Sequence, residues 1–184
     1  MSDNTKLLQI LASRSARRGS FTLASGRQST LYIDARLTTM SPDGLVLIGT
    51  LGLQALTKLW SVDAIGGLTL GADPISYAIA MASAHTSKPF RAFTVRKEAK
   101  AHGAGRLIEG PFQSGDAVAI IEDVITTGGS ALRAITAVQA AGGTVQGVLA
   151  LVDREEGGRE AIQDAGYPVH ALARAADIIA LMDA

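Results

Sequence analysis

Two spacings of apolar residues alternate along this chain. Near the N-terminus, Leu7, Leu8, Ile10 and Leu11 share one helical face, with Asp3 or Asn4 as the cap, and Gly19 is expected to end that helix. Phe21-Thr-Leu-Ala24 and Leu31-Tyr-Ile-Asp-Ala35 are strand-like, joined by a bend from Ser25 to Thr30. Ser41-Pro42-Asp43 starts a second helix, because proline is tolerated where the first turn needs no N–H. Leu45, Ile48, Leu51, Leu56 and Leu59 carry it to about Trp60.

Strands and helices then take turns. Strands are predicted at Ala64–Leu68, Phe90–Arg96, Ala117–Ile121, Val145–Val152 and Pro168–Leu172. Helices are predicted from Asp73-Pro74 towards His85, at Ser130–Ala141, at Arg159–Ala165 and at Ala176–Met182. Continuous apolar strands alternating with helices indicate an α/β fold with a mostly parallel sheet covered on both faces. In such sheets ligands bind beyond the carboxyl ends of the strands.

Composition narrows the classes of function. The chain has 184 residues, 47% of them hydrophobic, which suits one domain with a substantial core. Seventeen basic and 17 acidic residues cancel, so no general attraction to nucleic acid or to an anionic membrane is expected. Cysteine is absent, which removes disulfides and thiolate metal sites. No signal peptide or membrane-length apolar run is evident, and a cytoplasmic location is expected.

The stretch Val118-Ala-Ile-Ile-Glu-Asp-Val-Ile-Thr-Thr-Gly-Gly-Ser130 concentrates the chemistry. It reads as a buried strand ending in two carboxylates, then a hydroxyl- and glycine-rich turn, then a helix start. Such a turn aims backbone N–H groups at an anion, and the helix N-terminus adds partial positive charge. Gly128 and Gly129 allow close approach and φ > 0. Thr126, Thr127 and Ser130 donate hydroxyls, and Glu122 and Asp123 accept from ribose hydroxyls. No lysine follows the glycines, so this is no nucleoside triphosphate loop. A sugar phosphate suits the paired acids better.

This segment resembles the phosphoribosyl diphosphate (PRPP) motif of type I phosphoribosyltransferases. Arg96-Lys-Glu-Ala-Lys-Ala-His-Gly103 is similar to the catalytic loop of the orotate phosphoribosyltransferase family, and Phe21-Thr-Leu-Ala-Ser-Gly-Arg27 to its N-terminal substrate segment. Val152-Asp-Arg154 ends a strand where that family carries an arginine for the orotate carboxylate; taken alone, Asp153-Arg154 reads as a surface pair. Gly66-Gly-Leu-Thr-Leu-Gly-Ala-Asp-Pro74 stands in the place of the pyrophosphate loop. The chain departs from the pattern at Ala24, where many members have lysine, and at Leu70-Gly71, where many have Tyr-Lys.

The resemblance implies a type I phosphoribosyltransferase fold in one domain over 1–184, with a small N-terminal hood to about residue 40 and a core beyond it. It implies Mg²⁺-dependent transfer of ribose 5-phosphate from PRPP to orotate in pyrimidine biosynthesis. PRPP would be bound by Arg96, Lys97, Lys100, His102, Glu122, Asp123, Val124, Ile125, Thr126, Thr127, Gly128, Gly129 and Ser130, and orotate by Thr126 and Arg154. Catalytic roles fall to Lys97, Lys100, His102 and Asp123, with His102 either moving a proton or contacting pyrophosphate. Mg²⁺ would be held mainly by PRPP and water, without a protein cage. A homodimer is implied in which the loop reaches over the partner's site, so that Lys97 acts in trans. His85 and His170 read as structural.

Three rivals follow from the same residues. A transferase for another base would keep 122–130 but has no reason to carry 96–103 together with Arg154. A non-catalytic PRPP-sensing regulator would lose the loop cations and gain a basic surface. A bifunctional uridine monophosphate synthase would need a further barrel-sized domain.

Overall fold

A computed structural model of the protein describes residues 2–22, 28–98 and 107–183. Helix α1 (Asp3–Ile10) is capped by Ser2, whose hydroxyl accepts from the Thr5 amide, one residue ahead of the expected caps. A π-helical turn, Leu11–Ser15, follows, and the chain goes extended at Ala16. Gly19 therefore does not end a helix; it lies inside strand β1 (Ala16–Thr22). The physical reason is pairing: the Ser15 carbonyl accepts from the Asp34 amide, and β1 runs antiparallel to β2 (Gln28–Ile33). Register breaks between Arg18 and Phe21, where a Cβ on Gly19 would come within 2.9 Å of the Phe21 ring. Of the expected bend over 25–30, residues 28–30 belong instead to β2, which pairs with β1, and 25–27 lie outside the described residues.

A four-residue helix, α2 (Arg36–Thr39), was not expected from the sequence; it hands the chain to α3 (Pro42–Leu59), which begins and ends as the spacing predicts. Ser41 caps α3 by accepting from the Gly44 amide, and Arg14 grips Asp43 through two hydrogen bonds of 2.8 and 2.6 Å.

The remaining elements are β3 (Ala64–Leu68), α4 (Ala72–Ser83), β4 (Arg91–Val95), β5 (Ile108–Glu109), β6 (Ala117–Ile125), α5 (Gly129–Ala140), β7 (Thr144–Asp153), α6 (Gly158–Asp164), β8 (Val169–Arg174) and α7 (Ala175–Met182). They build a six-stranded sheet in the order β5-β4-β3-β6-β7-β8. All neighbours are parallel except β5, a short antiparallel edge strand that apolar spacing did not reveal. No helix among the described residues is long and apolar enough to cross a membrane.

Each face of the sheet carries its own core. Ala119 and Ile121 of β6 pack with Leu7, Leu11, Ile48, Leu56 and Ile79 on one side. Val118 and Ile120 pack with Phe93, Ile135, Val138 and Ile162 on the other. A strand that alternates between two dry faces must be apolar at every position, which is why 118–121 shows no polar alternation. Burying each of these large side chains contributes roughly 1.5–3 kcal/mol. β3 can be Gly-Gly at its centre because its neighbours fill the space: a Cβ on Gly66 would lie 2.7 Å from the Phe93 ring.

Candidate active site

The chain crosses from β4, on one side of β3, to β6 on the other, so the switch of direction lies between β3 and β6. Their pairing stops at Gly66 and Ile120, although β6 runs on to Ile125. The two strands part there and leave a cleft of about 420 Å³ at their carboxyl ends, the expected place for a ligand in a sheet of this kind. Its walls come from Tyr32–Asp34 and Arg36, the 68–71 loop, Lys97, Glu122–Val124, Thr126, Ser130, Arg133 and Arg154.

The two acids do not end the strand, as the sequence led us to expect; β6 carries them inside it. The cause is β7, which is long enough to keep pairing beyond them, with Glu122 opposite Ala150 and Ile125 opposite Asp153. Their side chains meet different surroundings. Glu122 is buried, with 7% of its surface exposed. Burial pushes its carboxyl well above the usual glutamate range, and the negative charge of Asp123 and a hydrogen bond with its side chain push the same way; the Asp123 backbone amide and then Arg133 pull against them. Asp123 is half-buried and lies against Gly71, where a Cβ would stand 2.4 Å from its carboxylate. Its Oδ1 also accepts from the Val124 amide at 2.8 Å.

Beyond Ile125 the chain turns into α5. Gly128 caps that helix in the left-handed region at φ 79°, which glycine adopts without strain. A Cβ there would lie 2.7 Å from the Gly158 carbonyl, because the start of α6 is packed against the turn. Gly129 has no positive φ; it is the first residue of α5, and a Cβ on it would meet nothing nearer than the Thr127 hydroxyl at 3.7 Å. Thr126 and Ser130 face the cleft, whereas Ile125 is fully buried in the core.

Cations ring the cleft. Lys97 lines it and is exposed. Arg96 sits in an adjoining pocket with Thr69 and Thr94, where it bonds the Glu98 carbonyl and stands 3.6 Å from Glu109. Arg154 is buried at 6% exposure and donates to the Leu31 carbonyl at 2.8 Å and to Glu156 at 2.6 Å. Asp153 is buried as well and bonds the Glu155 amide and Arg159, so the surface-pair reading of Asp153-Arg154 does not hold. Asp73 organises the 69–71 loop: it accepts from Thr69 at 2.7 Å and from Thr94 at 2.8 Å.

No protein-family model matches the chain. Individual relatives do. An orotate phosphoribosyltransferase of Aquifex aeolicus is 46% identical over 182 residues, which cover 97% of this chain and 99% of that one. The chain belongs to the orotate phosphoribosyltransferase family. A second relative of the same name, from Synechocystis, is 45% identical over 94% of this chain and 86% of its own. The crystal structure of the Mycobacterium tuberculosis orotate phosphoribosyltransferase with PRPP superposes with a TM-score of 0.80 at 39% identity, over 96% of this chain and 99% of that one. The fold is thus that of the type I phosphoribosyltransferases. Leishmania donovani UMP synthase matches over 99% of this chain but only 38% of its own. An adenine phosphoribosyltransferase, at 19% identity and a TM-score of 0.66, shares the fold alone.

Within this orotate phosphoribosyltransferase family member, the structure brings Lys97, Glu122, Asp123, Val124, Thr126, Ser130 and Arg154 to one cleft. Thr127, Gly128 and Gly129 form the turn at its end, and Arg96 stands beside it. Lys100, His102, Ala24 and Arg27 lie outside the described residues. Tyr32, Asp34, Arg36 and Arg133 also wall the cleft, and sequence reasoning missed all four. Arg133 follows the motif by one helical turn, a signal that was available. Among the described residues no three His, Cys, Asp or Glu side chains gather into a metal cage. Three acids line the cleft, and with Asp34 engaged by Arg36 the adjacent Glu122 and Asp123 suit a Mg²⁺ that draws most of its ligands from substrate oxygens and water.

Proposed function

We propose that this chain transfers ribose 5-phosphate from PRPP to N1 of orotate, giving orotidine 5′-monophosphate and pyrophosphate, a step of pyrimidine biosynthesis. The observation that carries the reading is the cleft at the β3/β6 switch point, which joins the acid pair to the 126–130 turn in a chain of this family.

The 5-phosphate would sit on the turn, held by the hydroxyls of Thr126, Thr127 and Ser130 and by backbone N–H groups at the start of α5. Glu122 and Asp123 would accept from the ribose hydroxyls. Bound Mg²⁺ supplies charge neutralisation on the diphosphate and fixes its orientation. As the bond from C1 to the diphosphate oxygen breaks, positive charge builds on the ribose ring and negative charge on the leaving group. Lys97 and Arg96, with Lys100 and His102 of the same loop, would neutralise the leaving oxygens; one such group is commonly worth roughly 3–4 kcal/mol in a water-poor site. N1 of orotate closes on C1, and its proton leaves with the pyrophosphate. Arg154, which lines the cleft, would meet the orotate carboxylate, since a guanidinium is always charged and its fork matches a carboxylate.

The working unit is a homodimer whose 96–103 loop closes over the neighbouring site. Orotate should be consumed on addition of PRPP and Mg²⁺, and not in the presence of EDTA. Uracil, adenine and hypoxanthine should be inert. Turnover of a purine with no turnover of orotate would transfer the protein to another base.

A further inference from the structure

Arg36 is the first residue of α2, and its side chain enters the cleft. It does not lie there loosely. Nε donates to Asp34 Oδ1 at 2.8 Å, Nη2 donates to Oδ2 at 3.0 Å, and the Arg36 amide donates to Oδ1 at 3.1 Å. This fork-on-fork pairing fixes the plane of the guanidinium while using only part of its donor set. Asp34 chiefly, with Tyr32 and Asp123 contributing, favours its charged form.

The 69–71 loop, which lines the same cleft, explains why a cation matters at this place. Leu70 and Gly71 supply no charge, and the space a side chain on Gly71 would take is filled by the Asp123 carboxylate, 2.4 Å from the Cβ position. Arg154 is engaged with Leu31 and Glu156. The 69–71 loop itself therefore offers a diphosphate no cation, and Lys97 and Arg96, which line pockets with Thr69, come from the segment after β4.

We propose that Arg36 is a substrate-binding residue whose guanidinium, aimed by Asp34, holds the diphosphate of PRPP in the cleft that the 69–71 loop also lines. Asp34 is its positioning residue. The inference rests on the PRPP reading of the cleft and adds to it a contact that neither the motif nor the loop supplies.

The test is titration of the wild-type protein, Arg36→Gln, Arg36→Lys and Asp34→Asn with magnesium pyrophosphate and, separately, with ribose 5-phosphate. An exposed ion pair contributes little to folding, so all four proteins should melt alike. Arg36→Gln should bind pyrophosphate roughly 10- to 100-fold more weakly, the usual loss for a charge-assisted contact, with ribose 5-phosphate affinity unchanged. Arg36→Lys should recover part of the loss, because it restores the charge without the fork. Asp34→Asn should fall between wild type and Arg36→Gln. Unchanged pyrophosphate affinity in Arg36→Gln, or equal weakening towards both ligands, overturns the proposal. No base takes part in these titrations, so an error about orotate leaves their result standing. Wild-type protein that binds neither ligand would instead sink the PRPP reading, and this proposal with it.

Discussion

Burial and the adjacent Asp123 hold the Glu122 carboxyl well above its ordinary range, so the free native protein keeps a proton there that the unfolded chain gives up sooner. The sign follows directly. The contribution to stability is fully present below the ordinary glutamate pKa and is lost as pH rises through the elevated native value. Thermal denaturation of ligand-free protein should show Glu122→Gln gaining stability relative to wild type as pH increases from acid to alkaline; parallel curves would contradict this. At this scale the sequence was a good guide to the residues of the motif and a poor one to their state. Two adjacent acids look alike in a sequence, but the ladder buries one and leaves the other facing Gly71. Asp34 and Arg36 were illegible for another reason: they lie almost ninety residues before the motif, and only the folded chain brings them beside it.

Elements decide how the turn at 126–130 keeps its shape. Gly128 is left-handed and pressed against Gly158, whereas Gly115 is equally left-handed at φ 92° with nothing within 4 Å. Both glycine-to-alanine changes carry the left-handed penalty, about 1–2 kcal/mol. Only Gly128→Ala also pushes α6 away from the turn. Its KM for PRPP should rise about tenfold or more, while Gly115→Ala should lose stability alone; melting curves paired with initial rates check this. Apolar spacing located the long helix α3 and strand β3 because their signals are local: a Ser-Pro cap for one and an uninterrupted apolar run for the other. It failed where pairing overrides local preference. β6 outruns its apolar stretch because β7 offers it partners, and Gly19 sits in a strand because β2 lies beside it.

At the scale of the whole molecule, the proposed homodimer has each subunit supply its loop to the other's site. Lys97 lines the cleft of its own chain, yet it is followed at once by the loop proposed to cross to a partner. Lys97→Ala and Asp123→Asn should each be nearly inactive. If Lys97 serves the neighbouring site, mixing and re-associating the two variants should restore about one quarter of wild-type activity, since half the dimers are mixed and each has one intact site. We expect that recovery; a mixture as inactive as its parents would assign Lys97 to its own cleft.

On the proposed function, the cleft between β3 and β6 holds PRPP. The most direct measurement is a crystal structure of this protein with PRPP and Mg²⁺. It should show the 5-phosphate on residues 126–130, the ribose hydroxyls against Glu122 and Asp123, and the diphosphate in contact with Arg36. PRPP density at any other place, with this cleft empty, would contradict the account.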